Sequence, residues 1–162
     1  MAELKYRKYF LSELLPEEKQ KGFGRNPMFT VVADNDIIEG CQFFTAMIMG
    51  ESATKKAGHG PHIHKTPEVL VALGTDPEHP KALGAEIELC MGPEMEKHYI
   101  TESTLVFIPA NFIHCPFRVL KVDRPFVFIQ AQYSAKLNET SLKKLVAEEL
   151  RDKMIFIDTE KI

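Results

Sequence analysis

Apolar and polar residues alternate through most of this chain, in short runs broken by Gly, Pro, Asn and Asp. Such runs, rich in Val, Ile, Phe and Thr, predict β-strands with one face toward a core. The pattern places strands over Met28–Ala33, Phe43–Met49, Glu68–Leu73, Ala85–Met91, His98–Thr101, Thr104–Ile108, Ile113–Val119 and Pro125–Tyr133. Many short strands separated by turn residues suggest an all-β antiparallel sandwich or jelly roll. No internal repeat of useful length appears.

Both ends depart from this rhythm. Residues 1–27 read as an N-terminal arm, with apolar Phe10, Leu11, Leu14 and Leu15, a short helical turn from Pro16 and a Gly/Pro loop from Gly22 to Pro27. The arm is expected to wrap over the β-barrel of residues 28–134 or onto a partner subunit. Residues 135–162 read as a C-terminal helix and short tail. Apolar spacing from Thr140 to Leu150 fits a helix, with Thr140 or Ser141 as N-cap and the leucines packed on the sheet. Met154–Ile157 suggests one more short strand, paired with the arm.

Charge and cysteine content narrow the function classes. The 162 residues carry a formal net charge of −3, and no Lys/Arg cluster exceeds two residues. Nucleic-acid binding normally demands a basic stripe, so it is not expected. No apolar run approaches membrane-spanning length, and the charged first nine residues do not form a signal peptide. Three unpaired cysteines, Cys41, Cys90 and Cys115, point to a reduced, cytoplasmic protein.

The chemistry concentrates in His62-Ile-His64-Lys-Thr-Pro-Glu68. Residues two and four apart on an extended strand share a face, so His62, His64 and Glu68 can point into one cavity if 65–67 stays extended. Pro67 biases Thr66 toward extended backbone. His114, in Pro109-Ala-Asn-Phe-Ile-His114, is a fourth candidate. Three imidazoles and a carboxylate suit one divalent transition metal, whether Fe, Mn, Ni, Co or Zn.

These segments resemble the two motifs of the cupin superfamily over roughly residues 40–134. His62, His64, Glu68 and Gly74 answer to the first motif, with the Gly one position early. Pro109 and His114 answer to the second. Ser103, Asn111 and Arg118 stand where that pattern has Gly, Gly and Asn. Asn111 is the mildest change, because Asn tolerates a left-handed turn. The resemblance implies a cupin-type jelly-roll (double-stranded β-helix) barrel with His62, His64, Glu68 and His114 as metal ligands. His59, His79 and His98 stand outside the pattern and read as ordinary histidines.

Further candidates rest on strand parity alone. Glu86 and Glu88 share a face, either solvated or sending a carboxylate into the cavity. Gln130 and Gln132 share another, as buried amides near the metal or as an exposed edge. Tyr99 and Tyr133 are weaker candidates as phenolic donors. Cys115 adjoins His114 and is expected to point the other way, into the core. The two-proline loop from Thr75 to Gly84 is either a specificity element or a rigid connection.

The leading functional expectation is a metal-dependent enzyme acting on a small polar metabolite by oxygenase, isomerase or lyase chemistry. Glu68 is the candidate catalytic residue, since a carboxylate ligand can detach to admit substrate. The alternative is a module that binds metal or small ligand without turnover. A homodimer is expected in either case.

Overall fold

The alternation read from the sequence becomes ten strands among the described residues, which are 5–12, 30–55 and 58–159 of a computed structural model. In chain order they are β1 (Thr30–Ala33), β2 (Phe44–Met49), β3 (His62–Ile63), β4 (Glu68–Leu73), β5 (Ala82–Met91), β6 (Glu96–Glu102), β7 (Thr104–Ile108), β8 (His114–Val122), β9 (Phe126–Gln132) and β10 (Thr140–Ser141). They pair antiparallel into two five-stranded sheets, β1-β2-β9-β4-β7 and β10-β3-β8-β5-β6. The sheets face each other as a jelly roll and do not close by hydrogen bonding. Between them lie Leu83, Ile87 and Leu89 of β5, Ile108 of β7 and Phe126 of β9, each at most 1 % exposed. Each such side chain contributes about 1.5–3 kcal/mol by leaving water.

The outer faces of the two sheets differ sharply. On the first sheet, strand register aligns Phe44, Ala46 and Ile48 of β2 with Ala131, Ile129 and Val127 of β9. Val69, Val71 and Leu73 of β4 and then Phe107 and Leu105 of β7 continue the same rows. This face carries no charged side chain on those strands, and Leu105 and Phe107 are 62 % and 54 % exposed. The second sheet is charged outside. There Glu88 of β5 is buried beneath an ion-pair cluster with Arg118 of β8 and Lys97 of β6, and Tyr99 donates to it at 3.3 Å.

The ends of the chain correct several expectations. Thr140 and Ser141 pair with β3 instead of opening a helix. The Ser141 N–H donates to Asp158 and its hydroxyl to the Ile157 carbonyl, which holds the segment extended against the tail. Among the described residues of this tail, helix is confined to one turn, Glu148–Arg151, after a 3-10 turn at Lys143–Leu145. Leu145 and Leu150 are exposed, so the leucine stripe is not a packing face; Val146 is the buried residue there. Ile155 bridges to His59 in the barrel. In the arm, Phe10 and Leu11 are exposed beside a 3-10 turn at Arg7–Tyr9, while Leu14, Leu15, Pro16 and the Gly22–Pro27 loop lie outside the described residues.

The loop after β4 is a pinned connection. Asp76 accepts from the Glu78 N–H and pairs with Arg124, and Thr75 donates to the Pro125 carbonyl. No residue of this loop lines the cavity beside His62, Glu68 and His114.

Candidate metal centre

The four candidate residues converge, though not by strand parity. The chain bends at Lys65 and Thr66, and it crosses from the second sheet to the first between His64 and Glu68. His62 and Glu68 therefore approach from opposite sheets. Register does the rest, placing His62 directly across from His114 and Glu68 across from Gln132. One ligand atom from each of His62, His64, Glu68 and His114 lies within 4.8 Å of every other, and all four residues are buried.

Each imidazole has its Nδ1 against a backbone carbonyl. His62 meets Gly60 at 2.8 Å, His114 meets Phe112 at 3.1 Å, and His64 meets Asn138 more closely still. A carbonyl oxygen only accepts, so each ring carries its proton on Nδ1 and presents a lone pair at Nε2. Gln132 Nε2 also lies 2.9 Å from His64 Nδ1, but its amide oxygen is taken by the Asn138 N–H at 3.0 Å. That fixes the amide with its NH2 toward Glu68, 3.4 Å away, and leaves the His64 proton to Asn138. Gln130 donates to the same Glu68 oxygen at 2.6 Å.

The result is a surplus of acceptors. His62 Nε2 faces His64 Nε2 at 3.1 Å, and Glu68 oxygens lie 3.3 Å from His64 Nε2 and 3.1 Å from His114 Nε2. His114 Nε2 is close to the carboxylate but not aligned as a hydrogen bond, and it is a buried nitrogen without such a partner. Converging lone pairs in a dry site repel unless a cation sits among them. Borderline nitrogen donors plus one carboxylate fit a divalent transition metal, and backbone carbonyls behind the rings are the usual support for such ligands.

Local charges follow the same logic. Burial, helped by the rings of His59, His114 and His64, holds His62 well below the ordinary imidazole range. Burial also opposes charge on His64, but hydrogen bonding and attraction from Glu68 win and raise its pKa. For Glu68, burial favours the neutral acid, yet His114 and His64 hold it well below the usual carboxylate range.

Comparison with solved structures identifies the architecture. Oxalate oxidase in complex with glycolate superposes with a TM-score of 0.52 at 12 % identity, covering 84 % of this chain and 64 % of that one. This chain thus spans just under two thirds of that protein's length. Peruvianin-I, a cysteine peptidase from Thevetia peruviana latex, gives 0.51 at 12 % identity over 86 % of this chain and 80 % of that one. No protein-family model and no curated protein matches the sequence. The fold is the cupin fold.

Within it the departures from the cupin motifs become intelligible. Asn111, in place of Gly, adopts a left-handed φ of 60° and donates its N–H to the His64 carbonyl at 2.7 Å. Gly74 passes so close to β5 that a Cβ there would meet the Ala82 carbonyl oxygen at 2.0 Å. Ser103 bonds both the Gly74 N–H and the Pro80 carbonyl, tying the first motif to β7. Arg118, in place of Asn, points away from the centre into the Glu88 cluster.

Other sequence candidates sort cleanly. Gln130 and Gln132 both support Glu68, whereas Glu88 lies on the outer face and Glu86 is half-exposed opposite Lys121. Tyr133 is exposed and Tyr99 serves Glu88. Cys115 is in the core as expected, but its φ of 68° breaks the alternation and it lines the cavity beside His114. Burial pushes its thiol well above the ordinary range, reinforced by the charge of Glu68, so it is no ready nucleophile.

Three residues at the centre had no claim from the sequence. His59, read there as ordinary, stacks on His62 at 4.3 Å between ring centroids and contacts Glu139 at 2.7 Å. Glu139 is 2 % exposed, and Asn138 supports His64. Only tertiary contact assembles them. A Cβ at Gly58 would meet the Phe117 carbonyl oxygen at 1.8 Å, so glycine there lets the His59 segment lie against β8.

Proposed function

We propose that this cupin is a metal-dependent enzyme acting on a small molecule held beside a three-histidine, one-glutamate centre. The observation that carries this reading is the set of three Nδ1–H to carbonyl contacts, which turn three Nε2 lone pairs and the Glu68 carboxylate onto one point. His62, His64 and His114 would anchor the ion, and Glu68 would offset its charge. A bound transition metal supplies Lewis acidity or redox chemistry to a coordinated substrate. The chain's own part is to fix the ring orientations, hold Glu68 through Gln130 and Gln132, and exclude water with an apolar wall. Reactions of the oxygenase, isomerase and lyase types all fit such a site.

Elemental analysis of the purified protein is expected to find close to one transition-metal ion per chain. Substrate screening with oxygen-consumption and product readouts then tests turnover. Full metal loading with no reaction in any screen would leave a binding module instead of an enzyme.

We also propose that two copies pair through the outer face of the first sheet. An uncharged apolar face can meet its own copy about a two-fold axis with no charge left buried and unpaired. Sedimentation is expected to give a dimer that Leu105→Glu converts to monomer. A wild-type monomer at micromolar concentration overturns this.

A further inference from the structure

Strands β6 and β7 end the two sheets on one side of the jelly roll, each with a free edge among the described residues. Between them lies an open groove of about 650 Å³. Its apolar side chains are Leu89, Met91, Ile100, Val106 and Phe112. Register sets Glu96, His98 and Ile100 of β6 across from Met91, Leu89 and Ile87, so these alternate residues look toward the core side of their sheet. Glu96 and Glu102 thus share the groove with Glu94 from the preceding turn, and all three are exposed. Among the described residues no Lys or Arg lines it. Glu96 meets only His98, at 3.1 Å, and Glu102 forms one solvated pair with Lys81 at 3.0 Å. An apolar groove with three carboxylates and no cation complements a segment that mixes cations with large rings.

The N-terminal arm is such a segment. Lys5-Tyr-Arg-Lys-Tyr-Phe-Leu11 carries three cations, three aromatic rings and a leucine, with no acid. Every one of these residues is exposed, so the barrel of the same chain gives Tyr6, Tyr9 and Phe10 no burial. The hydrogen bonds of Arg7, Tyr9 and Phe10 stay within residues 6–12. The chain then enters the barrel at β1, the edge of the first sheet opposite to β7, four strand spacings or about 19 Å away.

We propose that this arm seats in the β6–β7 groove of a second copy. Lys5, Arg7 and Lys8 lie against the set Glu94, Glu96 and Glu102, and the rings rest on the apolar side chains. Docking there also covers two free strand edges, which are otherwise templates for aggregation. Every chain carries both arm and groove, so two copies trade arms about a two-fold axis and fill both grooves. The contact is separate from the sheet-face pairing and adds to it.

The test places Tyr9→Cys and His98→Cys on separate full-length chains, each with Cys41→Ser, and co-expresses them. Oxidation is expected to link the two chains to each other on a non-reducing gel, at a yield at least about tenfold above either variant alone. One chain carrying both cysteines is expected to give linked dimers. A link within that single chain puts the arm in its own groove and overturns the exchange. Glu94→Lys, Glu96→Lys and Glu102→Lys on the groove-bearing chain are together expected to lower the linkage about tenfold. Lys5→Glu, Arg7→Glu and Lys8→Glu on the arm-bearing chain are expected to restore it, which separates recognition by charge from damage to the groove. Linkage indifferent to charge reversal, or no linkage in the unreversed pair, overturns the proposal and leaves the glutamates as edge protection. Should the reversed groove fail to fold, the unreversed pair and the reversed arm by itself still decide.

Discussion

Two buried glutamates, Glu68 inside the jelly roll and Glu88 on its second sheet, sit 1 % and 3 % exposed and have opposite uses. Both have carboxyls held below the ordinary range against the penalty of burial. Around Glu88 the partners are Arg118, Lys97 and a tyrosine hydroxyl, which bring their own protons and charge. That cluster is complete in itself, a strut joining three strands. Around Glu68, Gln130 and Gln132 donate to one oxygen, but the other partners are imidazole nitrogens already committed through Nδ1 to carbonyls. That cluster is complete only with a cation. A buried carboxylate is a strut where donors alone surround it, and a candidate site where unsatisfied acceptors converge beside it.

The sharpest way to break the comparison is metal content. His62→Ala combined with His64→Ala is expected to remove essentially all bound transition metal, while Glu88→Gln leaves it near one ion per chain. Elemental analysis of the three proteins checks this, and metal retained in the double variant sinks the assignment.

Titration separates the two clusters next. His64 has a raised pKa, so in the metal-free protein it keeps a proton to pH values above the ordinary 6.5, and metal must displace it. Metal affinity is therefore expected to fall as pH drops from neutral toward 5, by up to about tenfold per unit for each proton displaced. Glu68 stays ionised throughout that window, its pKa being lowered. The Glu88 contribution is also lost toward low pH, but in a lower window. Its folded pKa lies below the ordinary 4.5, so its stabilisation is present above that value and is lost as pH falls through the lower folded pKa. Between pH 7 and 5 the strut is unchanged while the metal leaves. Metal titrations and thermal melts at matched pH values read the two separately, and a flat affinity profile counts against histidine ligation.

Within the centre, Glu68→Gln is expected to keep a substantial share of the metal through the three remaining imidazoles. Turnover on an identified substrate should fall much further than occupancy, since the charge on the metal has changed. His114→Ala should lower both in parallel. Equal proportional losses in the two variants would make Glu68 an ordinary anchor. The smallest effect belongs to the strut. Arg118 and Lys97 are partly solvated, so Glu88→Gln is expected to cost only about 1–2 kcal/mol of stability, less at high salt. A matching loss of metal would erase the distinction between the clusters.

Most of the framework was legible because alternation is a local signal. The predicted strand at Glu68–Leu73 is observed residue for residue, and Ala85–Met91 and Pro125–Tyr133 differ from β5 and β9 only at their ends. The ligand candidates were legible for a partly wrong reason. Even spacing suggested one strand face, whereas a bend carries the chain between sheets and the rings meet Glu68 across the core. Asn138, Glu139 and His59 left no trace in the sequence, since nothing near them marks a partner 74 or 80 residues away. The tail misled because helical spacing in Leu142–Leu150 lost to strand pairing at Thr140–Ser141 and to side-chain bonds from Ser141.

The C-terminal segment gives the centre a birth order. Asn138, which orients the His64 ring, lies 74 residues after it, and Glu139 is held in turn by Ile157 and Thr159. At about 5–20 residues per second, a ribosome delivers His64 several seconds before the carbonyl that sets its tautomer. An ion captured in that interval meets loose imidazoles and is chosen by abundance and intrinsic affinity alone. Selection by shape begins only when the last strand and tail have docked, so an ion bound before then would be one chosen by abundance and intrinsic affinity.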